Sequence, residues 1–152
     1  MIWNNLYLLH DLNDDVIANA VATSFGVPRA QVMVDAADSR LPVPANAILV
    51  VRDDFRKHEP DTIFPVALSI FPPDRLAILP EDDAKRLATI ARGLDVPFMA
   101  SIDTDDQDTM RLVMPTGELL ERQVEDVDLR FEAGDLDRLA SYHVPHLLPI
   151  AS

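Results

Sequence analysis

Two strand-like runs joined by a short turn signal constrain this chain more than any other feature of its sequence. Thr109–Met114 and Glu118–Val124 flank the tripeptide Pro115-Thr116-Gly117. Proline suits the first central position of a type I turn, and glycine supplies the left-handed residue of a G1 bulge. The spacing therefore predicts a β-hairpin with a three-residue loop, so antiparallel pairing is expected in the fold.

Five further segments have the length and composition of strands. Each is a run rich in apolar residues that is too short to be a helix. Pro65 lies inside one of them, and because proline lacks a backbone N–H it predicts a sheet edge or a bulge there. The five segments are Ile2–Leu9, Gln31–Val34, Ala47–Val51, Thr62–Phe71 and Pro97–Ile102.

Three segments carry helix start and stop signals. The first follows Asn13 as N-cap, has two aspartates in its first turn, and stops at Gly26. The second covers residues 79–94, with a proline in its first turn and Gly93 as its predicted end. The third is the short segment Asp135–Tyr142 near the end of the sequence.

These elements predict an α+β fold. We expect a mixed, mostly antiparallel sheet of about six to seven strands. Two main helices and a short C-terminal helix are expected on one face of that sheet. The 152 residues show no linker or break in composition, which favours a single α+β domain over residues 1–152.

Composition excludes several classes of function. The chain has no cysteine, which rules out disulfides, thiol catalysis and cysteine-zinc sites. Its four glycines are all placed by caps and turns, and no phosphate-binding or nucleophile-elbow motif occurs. No apolar run reaches the ~18 residues that a membrane span needs. The N-terminus lacks the pattern of a signal peptide, so we expect a cytoplasmic protein.

The charge of the chain is strongly negative and unevenly distributed. There are 26 acidic and 13 basic residues, giving a formal net charge of −13 and a pI near 4.4. The segment Asp95–Asp137 contributes a formal −10 of this total. Such a surface repels nucleic acid and anionic lipid, so neither is an expected partner. A basic protein is the expected partner, while solubility or adaptation to a salty cytosol would explain the same acidity.

The candidate partner-binding residues are acids from the loop before the hairpin, from its second strand and from the residues that follow. Like charges along one sheet face cost stability unless they are solvated or meet cations. Protection of a sheet edge against aggregation is the alternative explanation. The candidates are Asp103, Asp105, Asp106, Asp108, Glu118, Glu121, Glu125, Asp126 and Asp128.

One stretch of this set also suggests a metal site. Asp103, Asp105 and Gln107 have the spacing of EF-hand ligands. The pattern fails where Asp108 stands in place of the turn glycine and where Met114 replaces the bidentate glutamate. We therefore assign no metal ligand and no cofactor.

Two alternatives to partner binding remain open at this point. A small metal-dependent or acid–base enzyme could use the Asp103–Asp108 loop or His10-Asp11, which lies at a predicted strand end. No nucleophile or second base can be placed beside His10, and Pro145 separates His143 from His146, so no catalytic residue is assigned. A self-associating structural module, in which a sheet edge pairs with a second copy, is the other alternative.

The overall profile resembles the small acidic immunity proteins that bacteria make against the secreted toxins of their neighbours. The features that carry the resemblance are size, acidity, the cysteine-free α+β organisation and the acidic strand–hairpin segment Asp95–Asp128. It implies a cytoplasmic, non-enzymatic inhibitor that covers the basic active site of a toxin. It transfers no site residue to this chain.

Overall fold

The computed structural model describes residues 3–36, 44–55, 65–76, 78–101, 109–123 and 133–142. These ranges contain seven strands and three α-helices, with short 3₁₀ turns before β2 and α2. In chain order the elements are β1 (Asn4–Leu8), α1 (Asp14–Phe25), β2 (Val32–Ala36), β3 (Ile48–Asp54), β4 (Val66–Phe71), α2 (Asp83–Leu94), β5 (Phe98–Ser101), β6 (Thr109–Val113), β7 (Leu119–Gln123) and α3 (Ala133–Ala140).

All seven strands belong to one sheet, in the order β2-β3-β4-β1-β5-β6-β7. β2 and β3 are parallel, and every other neighbouring pair is antiparallel. The predicted α+β class, the mixed and mostly antiparallel sheet and the two main helices with one short helix are confirmed. Strand directions define two ends of the sheet: the β3 end, where β1, β2, β3 and β6 finish, and the β7 end, where β4, β5 and β7 finish.

One face of the sheet is covered by α1 and α2, as predicted. Alternating strand residues such as Leu6, Leu8 and Phe98 point to this face and are fully buried. The two helices contribute buried apolar residues from their inner stripes, including Ile17 and Leu87. Because this cluster extends from β2 to β6, it forms the main core.

The short helix differs from the prediction that all three helices share a face. Leu139 of α3 is fully buried in a second cluster with Leu9, Met99 and Leu112. The strand residues of this cluster alternate with those of the main core, so they point to the opposite face. The amphipathic pattern predicted the helix, but it contains no information about which face of the sheet the helix covers.

Both ends of α1 were predicted correctly from neighbouring residues, but the end of α2 was not. Asn13 caps α1 as predicted, its side chain accepting a hydrogen bond from Val16 N at 2.9 Å, and Gly26 is left-handed with φ +67°. The prediction that Gly93 ends α2 is wrong, because the helix continues to Leu94 and the left-handed residue is Asp95 (φ 59°). Gly93 instead lies in close contact with Ala20 of α1.

The predicted hairpin is present between β6 and β7. Gly117 N donates to Met114 O at 2.9 Å, Met114 N donates to Glu118 O at 2.9 Å, and Gly117 has φ +100°. The edge or bulge predicted from Pro65 is not found. Pro65 precedes β4, which lies inside the sheet between β3 and β1, and its carbonyl accepts a hydrogen bond from Phe55 N at 2.9 Å. A proline just before a strand has no ladder donor to lose.

Candidate functional site

Most of the acidic candidate residues belong to two segments that are attached at one end of three neighbouring strands. The residues at the β7 end are Ser101 of β5, Thr109 of β6 and Gln123 of β7. Thr109 is opposite Gln123, and Ser101 is opposite Met110, so the three strand ends are in register. At a strand spacing of about 4.8 Å, they span roughly 10 Å. The acidic segments that begin after Ser101 and after Gln123 are therefore anchored side by side.

Seven of the nine candidate residues belong to those two segments and lie outside the described residues. What the structure fixes for them is the attachment of each segment to the sheet. The seven are Asp103, Asp105, Asp106, Asp108, Glu125, Asp126 and Asp128.

The other two candidates, Glu118 and Glu121, are described and exposed. Glu118 lies at the β3 end of the hairpin, where its Oε2 is 3.7 Å from Arg138 Nε of α3. Gln123 is five residue steps beyond Glu118, so Glu118 is separated from the attachment points by roughly 17 Å along the strand. Glu121 is the cross-strand neighbour of Arg111. The structure therefore does not bring Glu118 together with the two acidic segments.

A charged network at the β3 end was not predicted from the sequence. Arg52, near the end of β3, donates from Nη1 to Leu12 O at 2.6 Å and to Asp14 Oδ1 at 2.9 Å. Its Nε donates to Asp54 Oδ1 at 3.1 Å, and its Nη2 to Asp11 Oδ1. One guanidinium thus ties the β1–α1 turn to β3. The sequence hint was an acidic turn after a strand, HDLNDD, which requires a cation nearby if it is to pack against the sheet.

The environment of Arg52 keeps this cation charged. Burial acts to lower the pKa of Arg52, but hydrogen bonds to Asp54 and Asp14 and the charges of Asp54 and Asp11 outweigh it and raise the pKa above its usual value. A guanidinium with four acceptors around it has little capacity left for a ligand. We therefore interpret the network as a structural clamp.

His10 and Asp11 contact different partners in this structure. His10 Nε2 lies 2.9 Å from Tyr142 O, and because a carbonyl can only accept, Nε2 carries the proton. His10 Nδ1 is buried and has no hydrogen-bond partner among the described residues. Asp11 is engaged by Arg52 instead. The role that the geometry supports for His10 is anchoring the segment after α3 to the end of β1.

Local hydrogen bonds occupy backbone groups at both ends of the edge strand β2. Arg29 Nη1 donates to Val32 O at 3.0 Å, and Val32 N donates to Arg29 O. Ala36 N donates to the side chain of Asp35 at 2.9 Å. Backbone groups that are already bonded are less available to a second chain, so β2 is a poor edge for self-association.

Neither metal binding nor a membrane span is indicated in the described ranges. Across them, no group of three or more histidine, aspartate or glutamate side chains could hold a metal ion. The helices in those same ranges include none long and apolar enough to cross a membrane. Comparisons with protein-family models, with curated proteins and with solved structures found no match to this chain.

Proposed function

We propose that this protein is a non-enzymatic acidic binding protein that neutralises a basic protein partner, as an immunity protein or inhibitor does, and that the partner docks at the β7 end of the sheet. The observation that supports this proposal is the register of Ser101, Thr109 and Gln123. It anchors two acidic segments, separated in sequence by the β6–β7 hairpin, at neighbouring strand ends of one sheet.

The two segments attached at these strand ends carry a large part of the formal charge of the chain. Residues 102–108 carry a formal charge of −4 and residues 124–130 a formal charge of −2. The attachment points span about one Debye length at physiological ionic strength, which is roughly 8 Å. A basic surface approaching this end therefore experiences both segments together. Such complementarity accelerates association and selects partners by charge.

The β7 end is the better candidate for the docking site, because the described acidic residues at the β3 end already lie beside cations of the same chain. Asp11, Asp14 and Asp54 already surround Arg52, and Glu118 lies beside Arg138. A partner would have to compete with these internal cations at the β3 end. The acidic set beyond Gln123 and Ser101 is the better candidate for an intermolecular contact.

A charge-reversal experiment tests the proposal. Partners are captured from native cells with the full chain, and the association rate of the purified basic partner is measured by stopped flow at low and high salt. Asp105→Lys and Asp126→Lys test the two segments separately. Asp15→Lys makes the same charge change near the β3 end, where the Asp15 side chain is 86% exposed.

We expect both test variants to slow association several-fold at low salt, with the difference shrinking at high salt because exposed charges are screened. Asp15→Lys should leave the rate close to that of the wild type. If charge reversal within Asp103–Asp108 leaves the association rate unchanged, the proposal is wrong.

A further inference from the structure

A polar groove lies between the two main helices, on the face of the sheet that they cover. It is formed by the last turn of α1 and the first turns of α2 and has a volume of about 300 Å³. This is at the lower end of the range for small-molecule sites. Its lining combines three hydroxyls, two cations and one carboxylate: Thr23, Ser24, Thr89, Lys85, Arg86 and Asp82.

Arg86 is held in a fixed position within this lining. Its guanidinium carbon lies 4.6 Å from the ring centroid of Phe25 and 5.7 Å from that of Trp3. Trp3 Nε1 donates to Asp83 Oδ1 at 2.9 Å, and that same oxygen is 3.8 Å from Arg86 Nη1. Stacking on two rings beside a carboxylate orients the guanidinium before any ligand arrives.

The hydrogen-bonding capacity of Arg86 is largely unused. Its Nε and Nη1 are buried, and neither forms a hydrogen bond within the part of the chain that the structure describes. The Arg86 side chain is 13% exposed, and because Nε and Nη1 are buried, Nη2 is the guanidinium nitrogen left to face the groove. Buried guanidinium nitrogens without hydrogen-bond acceptors are unusual in proteins, and these two are surrounded by the rings of Phe25 and Trp3 and by Asp83. Nη2 of Arg86, next to the exposed Lys85, can donate to an anion in the groove.

The hydroxyl groups of the lining can accept hydrogen bonds from a ligand but cannot donate to it. Thr23, Ser24 and Thr89 donate to carbonyls of their own helices, at distances of 2.9, 2.7 and 2.9 Å. A hydroxyl has one hydrogen, so these three oxygens can act toward a ligand only as acceptors. Asp82 adds a carboxylate acceptor. The groove therefore offers donors on one part of its surface and acceptors on another.

We propose that this groove binds a small anion that also carries hydroxyl groups, in the chemical class of a polyol phosphate. The anionic group lies between Lys85 and Nη2 of Arg86, and the ligand hydroxyls donate to the serine, threonine and Asp82 oxygens. The proposal does not rest on the acidic segments, which serve a different partner. Because the whole chain carries a formal −13, long-range electrostatics oppose the anion, and binding depends on these local contacts.

Trp3 provides a direct reporter, since it is the only tryptophan and lies beside Arg86. Its fluorescence is followed while glycerol 3-phosphate, inorganic phosphate or glycerol is added to the full chain. We expect saturable binding of glycerol 3-phosphate with a dissociation constant on the order of 1 mM. Inorganic phosphate should bind several-fold more weakly, and glycerol should give no saturable change. Equal affinity for the two phosphates, or no saturable change with either, overturns the proposal.

Matched variants locate the binding. Lys85→Gln removes a groove cation, and Arg92→Gln removes an exposed cation on the same helix outside the groove. We expect roughly tenfold weaker glycerol 3-phosphate binding for Lys85→Gln, because one charge-assisted hydrogen bond is lost. Arg92→Gln should leave the binding unchanged. Thr89→Val should weaken glycerol 3-phosphate binding but not phosphate binding. Equal losses in Lys85→Gln and Arg92→Gln would show non-specific attraction and reject the site.

Discussion

Gly93 of α2 lies so close to Ala20 of α1 that a Cβ atom at position 93 would be 2.9 Å from the Cβ of Ala20 and 3.1 Å from its Cα. Non-bonded carbon atoms prefer separations of about 3.5–4.0 Å. The absence of a side chain at Gly93 therefore allows the two helices to approach this closely. Ala20 itself is buried in the main core.

Because of this contact, we expect Gly93→Ala to destabilise the protein. Gly→Ala in an ordinary helix interior stabilises by up to about 1 kcal/mol, because alanine loses less conformational freedom on folding. Gly93→Ala should instead lower the free energy of unfolding by about 1–3 kcal/mol, because the helices must move apart. Urea unfolding measures the change, with Arg92→Ala on the exposed side of the same turn as a near-neutral control.

A double variant tests whether Ala20 is the cause. Ala20→Gly removes the Cβ that the new methyl group would meet, so combining it with Gly93→Ala should restore part of the lost stability. A Gly93→Ala variant that is as stable as the wild type, or more stable, would contradict the close contact.

Signals that act within a few residues were predictable from the sequence. The cap at Asn13, the left-handed Gly26 and the Pro115-Thr116-Gly117 turn depend on hydrogen bonds and backbone angles of adjacent residues, and all three are found. Gly93 looked like the same kind of stop signal. Its role depends on the distance between α1 and α2, which no local pattern contains.

The other features that the sequence did not predict also depend on contacts between residues far apart in the chain. Arg52 has Arg56 and Lys57 as its neighbours in the sequence, whereas its partners Asp11 and Asp14 lie about 40 positions earlier. Pairing them requires the strand order, which places β3 and β1 on either side of β4. The side of the sheet taken by Leu139 likewise depends on long-range packing. Of the candidate site, the sequence predicted the acidic residues and the hairpin, but not that β5, β6 and β7 are neighbours in register.

The clamp around Arg52 should contribute measurably to stability. Arg52→Met keeps the unbranched apolar part of the side chain but leaves Asp11, Asp14 and Asp54 without their shared cation. The Arg52 side chain is only 16% exposed, and we expect a loss of about 1–3 kcal/mol, moderated by the greater exposure of its partners. Arg29→Met is the control, because Arg29 is 43% exposed in its pair with Asp15 and should cost about 0–1 kcal/mol.

The pH dependence of this contribution follows from the raised pKa of Arg52. A raised pKa stabilises the fold at every pH below the unfolded-state value and is lost only as the pH rises through the folded-state value. The stability difference between wild type and Arg52→Met should therefore stay constant from about pH 7 to about pH 10. A difference that disappears within this window would show that another group, and not Arg52, is responsible.

The hairpin loop should tolerate only a narrow set of residues at position 117. Gly117 has φ +100° and has space around its Cα, so a side chain there meets backbone strain and no collision. Gly117→Ala should destabilise by about 1–2 kcal/mol. Thr116→Ala, at the exposed neighbouring position, should be close to neutral in the same thermal or urea unfolding experiment. A neutral Gly117→Ala would mean that the turn can change type at no cost.

The hydrogen bond from His10 to Tyr142 O should determine how firmly α3 is held on the second face. His10→Ala removes the donor, and we expect the backbone amides of α3 to exchange with solvent roughly fivefold faster, equivalent to about 1 kcal/mol for one hydrogen bond.

His10→Gln places an N–H donor at similar reach and should restore part of the protection. Exchange in α1, which packs on the other face, is the internal reference and should not change. If His10→Ala leaves α3 exchange at the wild-type rate, the hydrogen bond does not hold the helix, and the burial of Leu139 is the stronger contact. In that case Leu139→Ala, which empties a fully buried position, should be the variant that releases it.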